Sequence, residues 1–232
     1  MIKAVFFDAI DTLFKPYPDK IGMYCRVIKE TAGFEVSAED MSRVWNKIII
    51  DTEEKSAKLL SKDCNLAWDG FNQKILELLG YQGDAKVAGD KLLFEAWSNP
   101  NNFALYDDVV KTLELLKESD IIIACVSNED RLLNNFFIQF GIDKYFKLIV
   151  TSEEEGIEKP NPIIFERALK RLNLEAKTVV HVGDSLISDY HGAENAGLKA
   201  ILIDRNDKFR DNKNINRIKK LTDILSYIKE QK

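Results

Sequence analysis

A short apolar run near the start of the chain ends abruptly in a carboxylate. Residues Ala4, Val5, Phe6 and Phe7 are apolar, and Asp8 follows them directly. A strand that is buried on both faces reads as a continuous apolar run, so the pattern predicts an inner strand of a parallel sheet. Asp8 is then expected at the carboxyl end of this strand, outside which open α/β sheets bind their ligands. Taken alone, Asp8 is equally well explained as a turn-capping residue.

The sequence changes character after this strand. Residues 16–104 carry apolar side chains at helical spacing in four segments, which predicts a smaller all-helical domain. Because this domain is inserted directly after the first strand, it is expected over the carboxyl ends of the strands as a candidate lid. Its residues Trp45, Trp68 and Trp97 are typical of a helical core rather than of a substrate pocket. The charge run from Asp51 to Lys58 is typical of a solvated helix face.

From Tyr106 onward, helical segments alternate with buried strands. Such alternation produces a parallel sheet with helices on both faces. The sequence therefore predicts an α/β fold, in which residues 1–15 and 105–232 form a doubly wound parallel sheet. Further strands are predicted at Ile121–Val126, Phe146–Val150, Thr178–Val182 and Lys199–Ile203.

Two helix ends in this part of the chain carry recognisable signals. Asp107 or Asp108 stands before an apolar helical pattern and is expected to cap that helix with its side chain. Near the end of the chain, Ile218, Leu221 and Ile228 recur at helical spacing. This spacing predicts a last helix that begins by Ile218.

Charge and hydropathy exclude several classes of protein. The chain has 33 Lys and Arg against 38 Asp and Glu, a net charge of −5, whereas nucleic-acid binding usually requires a basic surplus. No apolar stretch approaches the ~18 residues of a membrane span, and no leader pattern precedes the first strand. The chain is expected to be cytoplasmic, to bind neither nucleic acid nor membrane, and to be a monomer or a homodimer with a small-molecule substrate.

Cysteine and histidine suggest no metal site of their own. Cys25, Cys64 and Cys125 are widely spaced and lack a CxxC pair, so neither a disulfide framework nor a zinc site is indicated. His181 lies within an apolar strand and is expected to be a core histidine with a hydrogen-bond partner, whereas His191 is expected on a helix surface.

Polar side chains stand where three of the predicted strands end. Asp8 follows the first strand, Ser127 and Asn128 follow the second, and Asp184 follows the fourth, with Asp189 five positions later. Parallel strands bring all these ends to one edge of the sheet. Carboxylates gathered without compensating positive charge repel one another, and Mg²⁺ is a cation that relieves this repulsion while leaving positions for a substrate phosphate.

Lys159 adds a cation to this set. Pro160 and Pro162 stiffen its loop, which lowers the entropic cost of directing the ammonium group into the crevice. Together with the hydroxyl group of Ser127 and the backbone amides near Asn128, Lys159 could hold three phosphate oxygens.

The chain resembles the haloacid dehalogenase (HAD) superfamily, in its subfamily with a helical cap inserted after the first strand. The resemblance covers Met1 to about Ile203 and rests on the order and strand context of four motifs, each of which is weak alone. These motifs are Asp8 to Thr12, Ser127, Lys159, and Gly183-Asp184 with Asp189. The fold implied is a Rossmann-like core with the cap domain over residues 16–104.

What the resemblance implies is a phosphomonoester hydrolase in which Asp8 attacks phosphorus and forms an aspartyl-phosphate, which water then hydrolyses. Asp8, the carbonyl oxygen of Ile10 and Asp184 would hold Mg²⁺, and Asp189 would orient these ligands or a metal-bound water.

The same resemblance gives the remaining motif residues a role in binding. Ser127, Lys159 and Thr12 would hold the transferring phosphoryl group of a small phosphorylated metabolite.

One position departs from the pattern. Phosphatases of this superfamily usually carry a second aspartate two positions after the nucleophile, where this chain has Ile10. Isoleucine cannot transfer a proton, and a positioned acid or base typically contributes ~10²–10⁴-fold in rate. We hypothesise that either Asp11 replaces the missing group or turnover is slow except with good leaving groups. A turn-capping carboxylate also explains Asp11.

Two alternatives follow from the missing aspartate. Metal-independent 2-haloacid dehalogenases of the same superfamily lack it, but their pattern replaces the metal-binding aspartate with serine and adds an asparagine two residues later. This chain has Asp184 and Leu186 there, which favours Mg²⁺ and phosphate. The second alternative is a weakly catalytic protein that binds a phosphorylated metabolite or a partner. Retention of Asp8 and Lys159 argues against it.

Overall fold

The computed structural model describes the backbone of residues 1–58 and 70–230 and the side chains of residues 1–48 and 70–230. Trp68 and Cys64, and the side chains of the charge run 51–58, lie outside the described residues. The contacts divide the chain into two compact units. The core unit comprises residues 1–15 and 105–232, and the helical unit comprises residues 16–104.

The core unit contains a six-stranded sheet in which all neighbouring strands are parallel. Its strands are β1 (Ala4–Phe7), β4 (Ile122–Ser127), β5 (Leu148–Thr151), β6 (Val179–Gly183), β7 (Lys199–Ile203) and β8 (Arg217–Ile218). Their spatial order is β5-β4-β1-β6-β7-β8. This sheet, flanked by helices, confirms the predicted α/β fold, and each predicted strand is present with ends displaced by at most two residues.

Strand β1 occupies the interior of the sheet because all four of its side chains are apolar and fully buried. It pairs with β4 on one side and with β6 on the other, so that Phe7 lies level with Cys125 and with Val182. This register brings the residues that follow β1, β4 and β6 to one edge of the sheet.

Six α-helices accompany the described part of the core unit. They are α5 (Val109–Glu118), α6 (Leu133–Gln139), α7 (Ser152–Glu155), α8 (Pro162–Leu172), α9 (Gly192–Asn195) and α10 (Ile224–Glu230). Helix α8 begins at Pro162 because the side chain of Asn161 accepts a hydrogen bond from the amide of Ile163. Its residue Phe165 is fully buried in the apolar cluster that also contains Phe6 and Val126, so α8 packs on the sheet.

The helical unit contains four helices in its described residues. They are α1 (Lys20–Ala32), α2 (Ala38–Lys58), α3 (Phe71–Leu78) and α4 (Ala85–Trp97). Trp45 and Trp97 are half-buried and pack against the fully buried ring of Tyr24, with centroids 5.1 and 6.4 Å away. A two-stranded ribbon of β2 (Phe14–Pro16) and β3 (Phe103–Leu105) forms where the chain passes between the units. Among the described helices, none is both long and apolar enough to cross a lipid bilayer.

The structure corrects two predicted helix ends. Ile218 lies in strand β8 rather than in a helix, because it pairs beside Ile203 and its carbonyl oxygen accepts the amide of Asp204 at 2.8 Å. Leu221 lies in a short 3₁₀ turn, and α10 begins only at Ile224. Asp108 precedes α5 as predicted but makes no capping bond with its side chain, since its carboxylate is bound elsewhere.

Candidate active site

The polar ends of β1 and β4 are in direct contact. Asp8 and Ser127 are both buried, and the Ser127 hydroxyl donates to Asp8 Oδ1 at 2.9 Å. Carboxylate oxygens of Asp8, Asp184 and Asp189 all lie within 4.8 Å of one another. The structure therefore brings together the groups that were predicted to converge from three strand ends.

Lys159 lies between two of these carboxylates. The Lys159 side chain is 2% exposed, and its Nζ lies 2.6 Å from Asp8 Oδ1 and 2.6 Å from Asp189 Oδ1. Burial alone would lower the pKa of Lys159, but the two carboxylates raise it above its usual range, so the ammonium group stays charged. Asn128 fixes the loop: its side chain donates to the Lys159 carbonyl oxygen at 2.9 Å and accepts the Lys159 amide at 2.7 Å.

Asp189 is surrounded by hydrogen-bond donors. Its Oδ1 accepts from Lys159 and from Nε2 of His181 at 3.0 Å, and its Oδ2 accepts the amide of Ser185 at 3.0 Å. Against the effect of burial, Lys159 and His181 hold the pKa of Asp189 below its usual range. Gly183 is required beside it, because a Cβ atom there would lie 2.2 Å from Cγ of Asp189.

His181 is a fully buried core histidine with a hydrogen-bond partner, as predicted. Burial lowers its pKa, so the ring is neutral. Since the Asp189 carboxylate only accepts hydrogen bonds, Nε2 of His181 carries the proton. Nδ1 is then a bare acceptor, and it has no partner among the described residues. The ring therefore orients Asp189 without adding positive charge.

Asp184 differs from Asp189 because no described residue donates a hydrogen bond to its carboxylate. Burial and then the charge of Asp8 raise the pKa of Asp184 to about 8. Burial likewise raises the pKa of Asp8, although Lys159 opposes this shift. The site thus holds more carboxylates than cations. Its oxygen donors fit a hard divalent cation, which would relieve the repulsion.

The turn that follows β1 carries the other predicted residues. Thr12 is fully buried, and its hydroxyl lies 3.5 Å from Asp8 Oδ2. Ile10 is half-buried and forms an isolated bridge with Phe14. Asp11 adopts a left-handed backbone conformation with φ of 61°, which Asp tolerates better than most residues. All the residues of this turn belong to the core unit.

The sequence analysis missed two residues near the site, Glu129 and Arg205, and the bond between His181 and Asp189. Glu129 is half-buried, and burial together with the charge of Asp8 raises its pKa to about 8. Its position directly after Ser127 and Asn128 was an available signal. The bond between His181 and Asp189 and the contacts of Arg205 had no such signal, because no spacing rule links their partners.

A family model described as haloacid dehalogenase-like hydrolase matches residues 2–197. The chain therefore belongs to the haloacid dehalogenase-like hydrolases, and the resemblance drawn from its four motifs is confirmed. It is a hydrolase of this family.

Two curated relatives are similar over most of their length. Haloacid dehalogenase-like hydrolase domain-containing protein 3 of Danio rerio is 29% identical over 215 residues, 89% of this chain and 86% of that protein. A glyceraldehyde 3-phosphate phosphatase of Methanothermobacter thermautotrophicus is 30% identical over 216 residues, 88% of this chain and 86% of that protein. Among solved structures, HAD-hydrolase YfnB from Bacillus subtilis matches with a TM-score of 0.83, 19% identity and 98% coverage of both chains, a likeness of fold.

Proposed function

We propose that this hydrolase is a Mg²⁺-dependent phosphomonoester hydrolase that acts on a small phosphorylated metabolite through an aspartyl-phosphate intermediate. The observation that carries the proposal is the pairing of Asp8 with Asp184 beside the buried ammonium group of Lys159. The similar protein of Methanothermobacter thermautotrophicus is named a glyceraldehyde 3-phosphate phosphatase, which supports the same reaction class.

Asp8 is the proposed nucleophile. Its carboxylate forms a bond to phosphorus while the alcohol leaves, and water later cleaves the acyl phosphate to regenerate the carboxylate. Lys159 and Ser127 both contact Asp8 Oδ1, so their donors lie where the phosphoryl oxygens arrive. Together with Thr12 they would hold the phosphoryl group while its charge is redistributed in the transition state.

Asp8, Asp184 and the carbonyl oxygen of Ile10 are the residues that would hold Mg²⁺. Bound there, the ion would supply positive charge that offsets the repulsion between carboxylate and phosphate. Both oxygens of Asp189 already accept hydrogen bonds, so Asp189 would orient Lys159 and the ligand set instead of coordinating strongly. Asn128 would act in the same way, through the Lys159 loop.

Because Ile10 occupies the position of the usual general acid, no aspartate there can donate a proton to the departing alcohol. The half-buried Asp11, one residue later, is the candidate replacement, and its left-handed backbone directs it differently from a residue in extended conformation. The expectation is efficient turnover only where the leaving group needs little protonation, as with an aryl phosphate.

The dehalogenase alternative fits the residues less well. Attack on carbon with loss of halide needs no cation, and the dehalogenase pattern avoids a carboxylate at position 184. Here Asp184 is retained although burial and Asp8 disfavour its charged form. A group kept in that state is typical of a cation ligand.

The helical unit, residues 16–104, is the proposed cap domain that selects the substrate. Its described interior is held together by aromatic packing around Tyr24 and by hydrogen bonds between neutral groups. Substrate choice then depends on residues outside the phosphoryl-binding set.

The test is release of phosphate from p-nitrophenyl phosphate, with and without Mg²⁺, by the unmodified protein, Asp8→Asn and Asp90→Asn. Asp90 is an exposed helix residue paired with Lys86 and serves as the matched control. Turnover that requires both Mg²⁺ and Asp8, and that survives Asp90→Asn, supports the proposal. Hydrolysis of 2-haloacids without metal would establish the dehalogenase instead, and absence of both activities would leave binding without catalysis.

A further inference from the structure

The carbonyl oxygen of Thr12 is bound from outside its own turn. Within the turn, Ala9 O accepts the amides of Thr12, Leu13 and Phe14 at 3.3, 2.7 and 3.1 Å. The Thr12 carbonyl oxygen instead accepts Nη2 of Arg205 at 2.9 Å, across 193 positions of sequence. The turn that carries Asp8 is therefore fixed by a residue that follows β7.

Arg205 is itself held on several sides. Its Nη1 and Nη2 donate to the two carboxylate oxygens of Asp108 at 3.0 and 3.1 Å, and its guanidinium lies 3.7 Å from the ring centroid of Tyr106. Asp108 also accepts the amide of Leu221 at 2.8 Å. The side chains of Arg205 and Asp108 are each 15% exposed, so solvent competes little with these bonds.

Only arginine satisfies this arrangement. A planar fork makes two parallel bonds to a carboxylate and a third to a carbonyl oxygen, while its face stacks on an aromatic ring. A lysine ammonium group has neither the plane nor the span. Nε of Arg205 is buried without a partner among the described residues, which is itself unfavourable. The guanidinium group therefore binds Thr12 and Asp108 while its Nε–H group has no acceptor among the described residues.

The bond between Arg205 and the Thr12 carbonyl oxygen lies next to the proposed nucleophile, Asp8. Thr12 places its hydroxyl 3.5 Å from Asp8 Oδ2, and its carbonyl is the group that Arg205 holds. Because Asp108 neutralises the guanidinium, Arg205 acts on this turn by position rather than by its charge. A displacement of about 1 Å at a reacting group can cost on the order of 10²-fold in rate.

We infer that Arg205 is a positioning residue for phosphoryl transfer, which clamps the Thr12 carbonyl oxygen and so keeps the Asp8 carboxylate in line with its substrate. The inference rests on the proposed phosphatase function. A purely structural role differs from it in one respect: activity would then fall only in proportion to the folded protein that is lost.

Arg205→Lys is the first variant to test, with Arg217→Lys as the matched control. Arg217 bridges Asp204 and Asp207, and among the described residues it forms no hydrogen bond or ion pair with the turn that carries Asp8. The measurements are kcat and KM for p-nitrophenyl phosphate with Mg²⁺, and hydrogen exchange of the Thr12, Leu13 and Phe14 amides.

Arg205→Lys should lower kcat on the order of 10-fold, leave KM within about twofold, and speed exchange of the three amides. Arg217→Lys should leave kcat, KM and the exchange of the three amides unchanged. In Arg205→Ala, added methylguanidinium should restore part of kcat per folded molecule, whereas a merely structural role would restore only the amount of folded protein.

Unchanged kcat and unchanged exchange in Arg205→Lys would overturn the inference, and so would an equal loss of kcat in Arg217→Lys. Should the unmodified protein release no phosphate, the proposed function fails instead. The exchange rates of the three amides then still decide whether Arg205 clamps the turn.

Discussion

The two units bury polar groups in opposite ways. In the core unit the buried groups are ionisable, with Lys159 between Asp8 and Asp189. In the helical unit they are neutral: Trp97 Nε1 donates to Tyr24 Oη at 2.9 Å, and that hydroxyl donates to Asn72 Oδ1 at 3.0 Å.

The neutral groups of the helical unit stabilise its fold, whereas the ionisable groups of the core unit are suited to catalysis. Burial raises the pKa of Tyr24 above its usual range, so the hydroxyl stays neutral and its network only stabilises the helices. The carboxylates of the core unit outnumber its buried cation, and burial raises the pKa of Asp184 to about 8. Carboxylates whose pKa is perturbed in this way at the edge of a parallel sheet are typical of a catalytic site.

Among the substitutions considered, Asp8→Asn in the core unit should have the largest effect, and that effect should be on turnover. Amide oxygen still accepts hydrogen bonds from Ser127 and Lys159, but the amide group is no nucleophile. Turnover of an aryl phosphate should fall by at least about 10³-fold, while the midpoint of urea unfolding without Mg²⁺ stays or rises because one repelling carboxylate is gone. Substantial residual turnover in this variant would contradict the nucleophile assignment.

Lys159→Met should destabilise the core unit strongly. Removal of the ammonium group leaves Asp8 and Asp189 buried without their cation, a loss of about 3–5 kcal/mol for a broken buried pair. Lys29→Met is the control, since Lys29 lies 2.6 Å from Glu35 but both side chains are largely exposed. Urea unfolding should detect the first change and not the second. Equal effects would show that burial is not what distinguishes the two pairs.

Stability without divalent cations should depend on pH through Asp184. Its pKa is about 8 in the folded protein against 3.8 as its ordinary value, so between these pH values the folded state keeps a proton that the unfolded state has lost. The free energy of unfolding should therefore fall as pH rises from about 4 to about 8, on the order of 1 kcal/mol per pH unit.

Two controls sharpen the pH measurement. Asp184→Asn should flatten the slope, and so should added Mg²⁺, because each removes the cost of an unpaired carboxylate. If neither change alters the slope, the pH dependence arises from other groups. Glu129 is then the main candidate, since its pKa is also raised to about 8.

Tyr24→Phe tests the neutral hydrogen bonds of the helical unit and should have the smallest effect on stability. Loss of the hydroxyl leaves Asn72 Oδ1 and Trp97 Nε1 without this partner, which costs about 1–3 kcal/mol. Unlike Lys159→Met, its effect should not change between pH 5 and pH 8, as measured by urea unfolding at both values. Tyr17→Phe, at an exposed tyrosine, should leave stability unchanged.

Much of the fold could be predicted because the strands are buried on both faces. The apolar runs, each ended by a polar residue, marked the strands, and parallel topology then predicted that Asp8, Ser127 and Asp184 share one edge. Ile218 was placed in the wrong element because one apolar residue at the right spacing fits a short strand beside Ile203 as well as a helix.

The support around the site could not be predicted in the same way. Asp108 was expected to cap a helix, yet its carboxylate serves Arg205 and Leu221, 97 and 113 positions away. The bond between His181 and Asp189 depends on the turn after β6, where residues 186–191 form a π-helical turn instead of a regular helix. Such contacts arise from tertiary structure and leave no periodic pattern in the sequence.

The central place of β1 also dictates when the site can form during synthesis. Its four residues leave the ribosome well before their partners, because β4 and β6 begin only at Ile122 and Val179. Until then both edges of an apolar strand stay unpaired, a state that invites aggregation. Contacts so distant in sequence also slow folding. A nascent chain halted before residue 179 should therefore require a chaperone to stay in solution.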